Sequence, residues 1–453
     1  MTHTEQSARP RGGVDAGTRA RAAAAVAELA ERLADPSFVA EHATARDNTR
    51  PLPDGTRMPI WHPTSITDGY PALALLYGEL AHTDIAYRWV AHEYLTHAAA
   101  EVAQAHASGL YTGYVALAFA ASRARRRPGE YAKILKSVDE HLAAWVPAQL
   151  RPEWERIEAG RAGTPFVAYD IISGVTGVGR YLLDRPAPAA RLTLVEILSY
   201  LVALTKPFAG EHAALPGWWV SHTPNSESVD GYGGHGNLGL AHGVPGPLAL
   251  LALAWQEGVR VPGHDEAMVR IVDWMLDWHR IDEGGAYWPS FVQREELAVC
   301  PADLSRGRSA WCYGVPGAAR ALQLAGMALD RPEWHRFAVE ALRGTLTLPD
   351  ERHGPQDAGL CHGWAGLLHL TRMVARDADD AELAGTADRL ADRALDLYDP
   401  QAPFGFRGAT LHAGETVDLP GFLEGAAGIA LALHAYAGDR PAESGWDAAL
   451  LVR

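Results

Sequence analysis

Apolar and polar positions along the chain fall into two alternating kinds of segment. One kind is apolar on every side and is opened by glycine: Leu73-Ala74-Leu75-Leu76, Leu117-Ala118-Phe119, Val178 to Leu183, Leu248 to Leu251, Ala318 to Leu322, Leu367 onward, and Ile429 to Leu433. The other kind is amphipathic at helical period: Tyr87 to Ala103, Tyr131 to Val146, Leu192 to Leu204, Glu266 to Trp278, Trp334 to Leu342 and Ala381 to Tyr398, with Ala22 to Leu33 ahead of them all. A helix apolar all round is buried, and an amphipathic one covers a surface. The alternation therefore predicts seven inner helices, each paired with an outer one, in a closed double ring: an all-α (α/α)₇ toroid.

Each inner helix is entered through a recurring frame. The glycines that open the frames are Gly69, Gly113, Gly174, Gly243, Gly314, Gly363 and Gly425, spaced by 44 to 71 residues. In the last five a second glycine follows three positions later; the first two frames lack it. Glycine there permits tight turns and close backbone approach near the ring axis. Two stretches break the helical period, near 217–237 and 281–309, where Gly, Pro and aromatics read as loop and short strand. They are the expected irregular or β-containing insertions in a single toroid domain spanning 19–453, with 1–18 expected to be a disordered tail.

Composition narrows the class. The chain has 453 residues, and 48% are hydrophobic, enough for a large core. A net charge of −15 argues against a nucleic-acid partner, since phosphate binding needs clustered cations. No apolar run reaches the roughly 18 residues of a membrane span, and the N-terminus lacks a signal-peptide core, so a cytoplasmic enzyme is expected. Three cysteines, Cys300, Cys312 and Cys361, are too few for a disulfide framework.

Aligning the frame glycines puts Cys312 and Cys361 at one offset and His242 and His362 at the next. Equivalent positions of successive repeats face a common centre. Cys312, Cys361 and His362 thus form a candidate Cys₂His zinc set with an open fourth position, the arrangement of catalytic rather than structural zinc. The alternative, two buried cysteines beside a capping histidine, stays open on the residues alone. His242 follows Ala241 and so lacks a neighbouring thiolate; it reads as an acid–base group beside the metal, or as a helix-entry cap. Asp170, four residues before Gly174, could orient a histidine, and Arg308, four before Cys312, could hold a developing oxyanion. Glu424 shares the histidine offset and is a further candidate, while Cys300 lies outside every frame.

The runs Asn237-Leu238-Gly239-Leu240-Ala241-His242-Gly243, Trp311-Cys312-Tyr313-Gly314 and Leu360-Cys361-His362-Gly363 resemble the signatures of the lanthionine synthetase C-like (LanC) family. Tyr169 to Gly174 and Phe422 to Gly425 fit the same pattern. The resemblance implies a seven-fold α-toroid with Cys312, Cys361 and His362 on Zn²⁺, and His242, Asp170 and Arg308 in the active site. It also implies a cyclase of the stand-alone, class I kind, which adds peptide cysteine thiols to dehydroalanine or dehydrobutyrine and forms (methyl)lanthionine rings. The partners implied are a dehydrated precursor peptide with its leader, a lanthipeptide dehydratase and an exporter, in a complex peripheral to the membrane. Two other readings are a LanC-like protein that adds glutathione to dehydrated residues and a non-catalytic, zinc-bearing peptide scaffold. A zinc-dependent prenyltransferase is disfavoured, because Asp377-Ala378-Asp379-Asp380 lacks DDxxD spacing.

Overall fold

A computed structural model describes residues 16–52, 55–102, 109–208, 215–224, 232–353, 357–409 and 415–453. Its long helices alternate along the chain between an outer and an inner layer. In chain order they are α1 (Ala16–Arg32, outer), α2 (Tyr70–Leu80, inner), α3 (Tyr87–Val102, outer), α4 (Gly113–Ala124, inner) and α5 (Ala132–Glu158, outer). Next come α6 (Val175–Leu183, inner), α7 (Pro188–Leu204, outer), α8 (Pro245–Gln256, inner), α9 (His264–Asp277, outer) and α10 (Val315–Ala328, inner). The series ends with α11 (Pro332–Leu346, outer), α12 (Trp364–Ala378, inner), α13 (Ala387–Leu395, outer) and α14 (Ala426–Ala437, inner).

Each inner helix packs on the next, and α14 packs back on α2, so the ring of seven closes. The expected (α/α)₇ toroid is the observed fold. Helix α1 packs on α14 and supplies the seventh outer helix, so the chain's two ends complete one outer–inner pair. Inner helices such as α2 and α8 are buried on nearly every side, as their largely apolar sequence requires, and the one carboxylate of α2, Glu79, accepts from the backbone of Glu443 and Ser444. One continuous apolar cluster runs from Ala22 to Val452.

Several boundaries differ from the sequence reading. Residues 1–15 of the expected tail lie outside the described residues, and 16–18 are the first turn of α1 rather than disordered. Helix α5 does not stop at Val146 but runs through Pro147 and Pro152 to Glu158. Proline removes a helical hydrogen bond and crowds the preceding turn. Here the buried stripe Leu142, Val146, Leu150, Glu153 continues unbroken across both prolines, and its packing outweighs that cost. Buried Glu153 bonds Arg156, Thr164 (2.7 Å) and Tyr200 (2.9 Å), which ties the end of α5 to the strand-like approach to Asp170. The segment expected to be helical from Ala381 to Tyr398 is broken into Ala381–Ala384 and α13.

The two irregular stretches do carry strands, and they meet. Strands β1 (Thr49–Pro51) and β2 (Arg57–Pro59) pair antiparallel; β3 (His235–Asn237) pairs with β6 (Phe291–Gln293), across from the hairpin of β4 (Arg280–Asp282) and β5 (Gly285–Tyr287). A further hairpin joins β7 (Arg407–Ala409) to β8 (Thr416–Asp418). Every one of these sheets has two strands, so the β content forms small flaps rather than a domain. The sequence reading placed neither β1–β2 nor β7–β8. These two are bound together by Asn48, which exchanges hydrogen bonds with the Asp418 backbone in both directions.

The entry turns of the inner helices are joined to one another by backbone hydrogen bonds. Ile66 N–H donates to Tyr111, Tyr111 to Ile172, Ile171 to Ala241, Ala241 to Cys312, Cys312 to Cys361, Cys361 to Leu423, and Phe422 to Thr67. This is a closed circlet through all seven frames. It explains the second glycine: a Cβ on Gly366 would stand 1.9 Å from the Leu360 carbonyl oxygen, and one on Gly428 only 1.8 Å from that of Phe422. Gly366→Ala is expected to destabilise the protein by about 1–3 kcal/mol, the usual cost of overpacking. Gly385→Ala, where the nearest atom is 3.3 Å away, should cost little. Denaturant unfolding checks this, and an unchanged midpoint for Gly366→Ala would show that the circlet yields freely.

Candidate active site and metal centre

The circlet fixes which side chains reach the mouth of the ring. The residue before each frame glycine is Asp68, Thr112, Ser173, His242, Tyr313, His362 or Glu424; all seven are at least partly exposed, and every glycine that follows them is buried. These side chains form a rim. Because every inner helix starts just beyond it, seven helix N-termini converge on the mouth and favour negative charge there.

On one arc of the rim, Cys312, Cys361 and His362 come together, with one ligand atom of each lying within 4.8 Å of the others. Bonds of about 2.0–2.3 Å to a tetrahedral ion put donors at comparable separations, so the set fits a soft divalent metal with one position left open. The thiols are unequal. Cys312 is drawn down to about 5, chiefly by a hydrogen bond from Cys361, with His362 adding to the effect against burial. Cys361, which gives that hydrogen bond, is pushed up by it and by burial. Burial opposes a charge on His362, but the Cys312 sulfur, Asp357 and Glu424 together raise it to about 9. One thiolate beside one imidazolium is the metal-free counterpart of a ligand set that sheds its protons on binding a cation.

Asp357 was not anticipated. Its Oδ2 lies 3.5 Å from His362 Nε2, and its Oδ1 accepts from the Gly359 N–H (2.9 Å). A carboxylate behind a ligating histidine fixes the ring's orientation. The signal was present in the sequence: Asn237-x-Gly239 and Asp357-x-Gly359 stand at the same distances before Gly243 and Gly363. The Asn237 side chain makes the same bond, to the Gly239 N–H (2.9 Å).

Next along the rim, His242 Nδ1 meets Asp170 Oδ2 at 2.6 Å. Asp170 is fully buried, and its Oδ1 is held by the N–H groups of Ser173 (2.8 Å) and Gly174 (2.7 Å). The pair therefore directs the other ring nitrogen, Nε2, away from Asp170. Phe166 packs 5.0 Å from the His242 ring and Tyr313 lies 6.4 Å away, so the imidazole sits between two aromatic walls. The Tyr313 hydroxyl accepts from Asn237 Nδ2 (3.2 Å), and burial pushes it up to about 12. Neither ring was singled out from the sequence.

Arg308 is exposed and makes no ion pair among the described residues; its charge bears on Asp357, on the metal side of the mouth. Glu424 lies 3.9 Å from His362 and is ion-paired with Arg50 of β1. Cys300 is exposed at the end of a short helix, apart from the site.

Comparison with known proteins bears on the family and the fold. The chain is 24% identical, over 322 residues, to the nisin biosynthesis protein NisC of Lactococcus lactis subsp. lactis, covering 69% of this chain and 74% of that one. Its fold matches the solved structure of nisin cyclase with a TM-score of 0.72 at 20% identity, across 96% of this chain and 98% of the other; this likeness speaks for the fold. The family model described as lanthionine synthetase C-like protein matches residues 60–451, from just after β2 to the buried C-terminal segment. With nearly all of the toroid matched, the chain belongs to the lanthionine synthetase C-like proteins.

Proposed function

We propose that the protein is a zinc-dependent lanthipeptide cyclase, which adds cysteine thiols of a dehydrated precursor peptide to dehydroalanine or dehydrobutyrine within the same chain. The observation that carries this reading is the juxtaposition, on one rim, of a two-thiol, one-imidazole donor set and a histidine–carboxylate pair. Cys312, Cys361 and His362 would hold the ion, and two soft thiolate donors suit Zn²⁺. Bound zinc supplies the acidity that makes a substrate thiol, with a pKa near ~8.5 in free peptide, a thiolate at neutral pH.

The chain's own residues account for the rest. The sulfur forms a bond to the β-carbon, and the alkene electrons move toward the carbonyl as an enolate. His242 delivers the proton to the α-carbon, and Asp170 holds its ring in the productive orientation. Converging helix N-termini and Arg308 offset the enolate charge. Phe166 and Tyr313 flank the imidazole and reduce its exposure to water. The precursor peptide is the substrate partner, with a dehydratase and an exporter as its expected neighbours. Among the described residues no helix is long and apolar enough to cross a membrane, and we place the enzyme in the cytoplasm, peripheral to the membrane when it joins that complex.

Elemental analysis should find one zinc per chain. Cys312→Ala, Cys361→Ala and His362→Ala should each lower occupancy, and Cys300→Ala should not. Asp357→Asn should keep the ligands but weaken affinity by roughly 10- to 100-fold in chelator competition. Full zinc retention in Cys361→Ala would remove the ligand assignment.

His242→Asn should retain zinc and slow cyclisation by roughly 10²–10⁴-fold, measured as loss of free thiol in a dehydrated precursor. Adding Asp170→Asn to it should cost little more, because the two act as one unit. Fully additive losses would show that Asp170 serves only its own turn. Arg308→Lys keeps the charge but loses the planar fork, and partial activity is expected. A wild-type enzyme that consumes added glutathione while leaving precursor thiols free would favour addition in trans instead.

A further inference from the structure

The side of the rim beyond His362 carries chemistry that the cyclisation scheme above does not use. Asp68 occupies the same frame position as His242 and His362, one residue before its glycine, and so faces the same mouth. It is partly buried, and its Oδ1 is shielded from solvent without a hydrogen-bond partner among the described residues. Two charged groups bear on it: Glu424, from the turn into α14, and Arg50, from β1. Arg50 is ion-paired directly with Glu424, so Asp68 has a like charge for a neighbour and no ion pair of its own among the described residues. Beyond Glu424, Asp357 adds another carboxylate to the same side. An unpaired carboxyl in such surroundings resists ionisation. Burial first, then the Glu424 charge, raise Asp68 to about 7, with Arg50 opposing them.

Resting on the thiol-addition reading, we propose that Asp68 is a second proton-exchanging group of the site, taking up the proton that a substrate thiol gives up when it settles in the mouth as a thiolate. The balance is simple. The S–H bond breaks, its electron pair stays on sulfur, and the proton passes by way of solvent to the Asp68 carboxylate. The sulfur pair then forms the S–C bond, and His242 supplies the proton for the new C–H bond. Asp68 gives its proton back through solvent, and His242 is reprotonated. No net proton is consumed, and no oxidant or reductant is needed. Contact between Asp68 and the sulfur is not required: adding one negative charge to a mouth already holding Glu424 and Asp357 raises the proton affinity of a carboxyl group on the same rim. The arrangement also divides the labour, because one group takes the thiol proton and another holds the enolate proton ready.

The test counts protons. Zinc-loaded protein is titrated calorimetrically with a cysteine peptide that lacks dehydrated residues, in buffers of different ionisation enthalpy, from pH 6 to 8. Wild type should release about one proton per thiol near pH 6 and only about half a proton between pH 7 and 8, where Asp68 absorbs the remainder. Asp68→Asn, with zinc content and helical circular dichroism unchanged, should release about one proton from pH 6 to 7 and about three-quarters at pH 8, where part of the free thiol is already ionised. Since release by the wild type is itself diagnostic, a flat profile overturns the proposal even if the variant does not fold. Identical profiles for wild type and Asp68→Asn overturn it as well. Failure of the peptide to bind the wild type at all would overturn the thiol-addition reading, and this inference with it.

Discussion

Everything at the mouth of this ring follows from the circlet of backbone hydrogen bonds that joins the seven entry turns. A ring of repeats closed in this way has no free edge, and each turn is held in register by the turns on either side. Register determines side-chain direction. The residue before each glycine is turned toward the mouth, and the glycine itself is buried against the turn's own backbone. Residues far apart in sequence, from Asp68 to Glu424, are thereby set on one circle without any of them needing a local motif of its own.

The circle is chemically partitioned. Imidazole and thiol groups occupy the arc from His242 to His362, carboxylates the arc from Glu424 to Asp68, and the hydroxyls of Thr112 and Ser173 the remainder. Two thiolates, three nearby carboxylates and a substrate thiolate would repel one another strongly in a half-buried mouth. Arg50 and Arg308 on the flanks, the converging helix N-termini and the cation that the donor set is shaped to hold oppose that repulsion. The site is therefore balanced only when loaded, which accounts for a metal-free state that keeps one thiol low and the other high.

The same repeat logic explains what could be read from the sequence and what could not. The inner helices, their glycines and the offsets of Cys312, Cys361, His242 and His362 are properties of a repeated frame, and comparing frames reveals them. Asp357 was legible by the same comparison, through its likeness to Asn237. Arg50 was not: it comes from a three-residue strand before the first frame and reaches a partner 374 positions away. No periodicity encodes such a contact. Helix α5 misled because proline is a local signal, whereas the stripe that carries the helix past Pro147 and Pro152 is fixed by burial against the rest of the ring.

The C-terminal segment packs among the inner helices. Residues 446–452 are all buried, and they are gripped from opposite sides: the Tyr111 hydroxyl donates to the Ala449 carbonyl (2.9 Å), and Trp311 Nε1 to that of Leu450 (2.9 Å). Arg320 Nε holds the Val452 carbonyl (2.8 Å), and buried Asp447 pairs with His369 (3.2 Å). Tyr111 and Trp311 belong to the second and fifth frames, across the axis from each other, so this segment fills the space that the inner helices enclose. Without it, seven apolar helices would surround a wet channel, and their inward faces would lose the burial that their sequence demands. With that space filled, the inward faces of the helices can be largely apolar, and polar groups among them such as Arg320 and His369 serve to hold the segment. The segment also gives the mouth a buried floor, and charges above such a floor are screened less than they would be in open water.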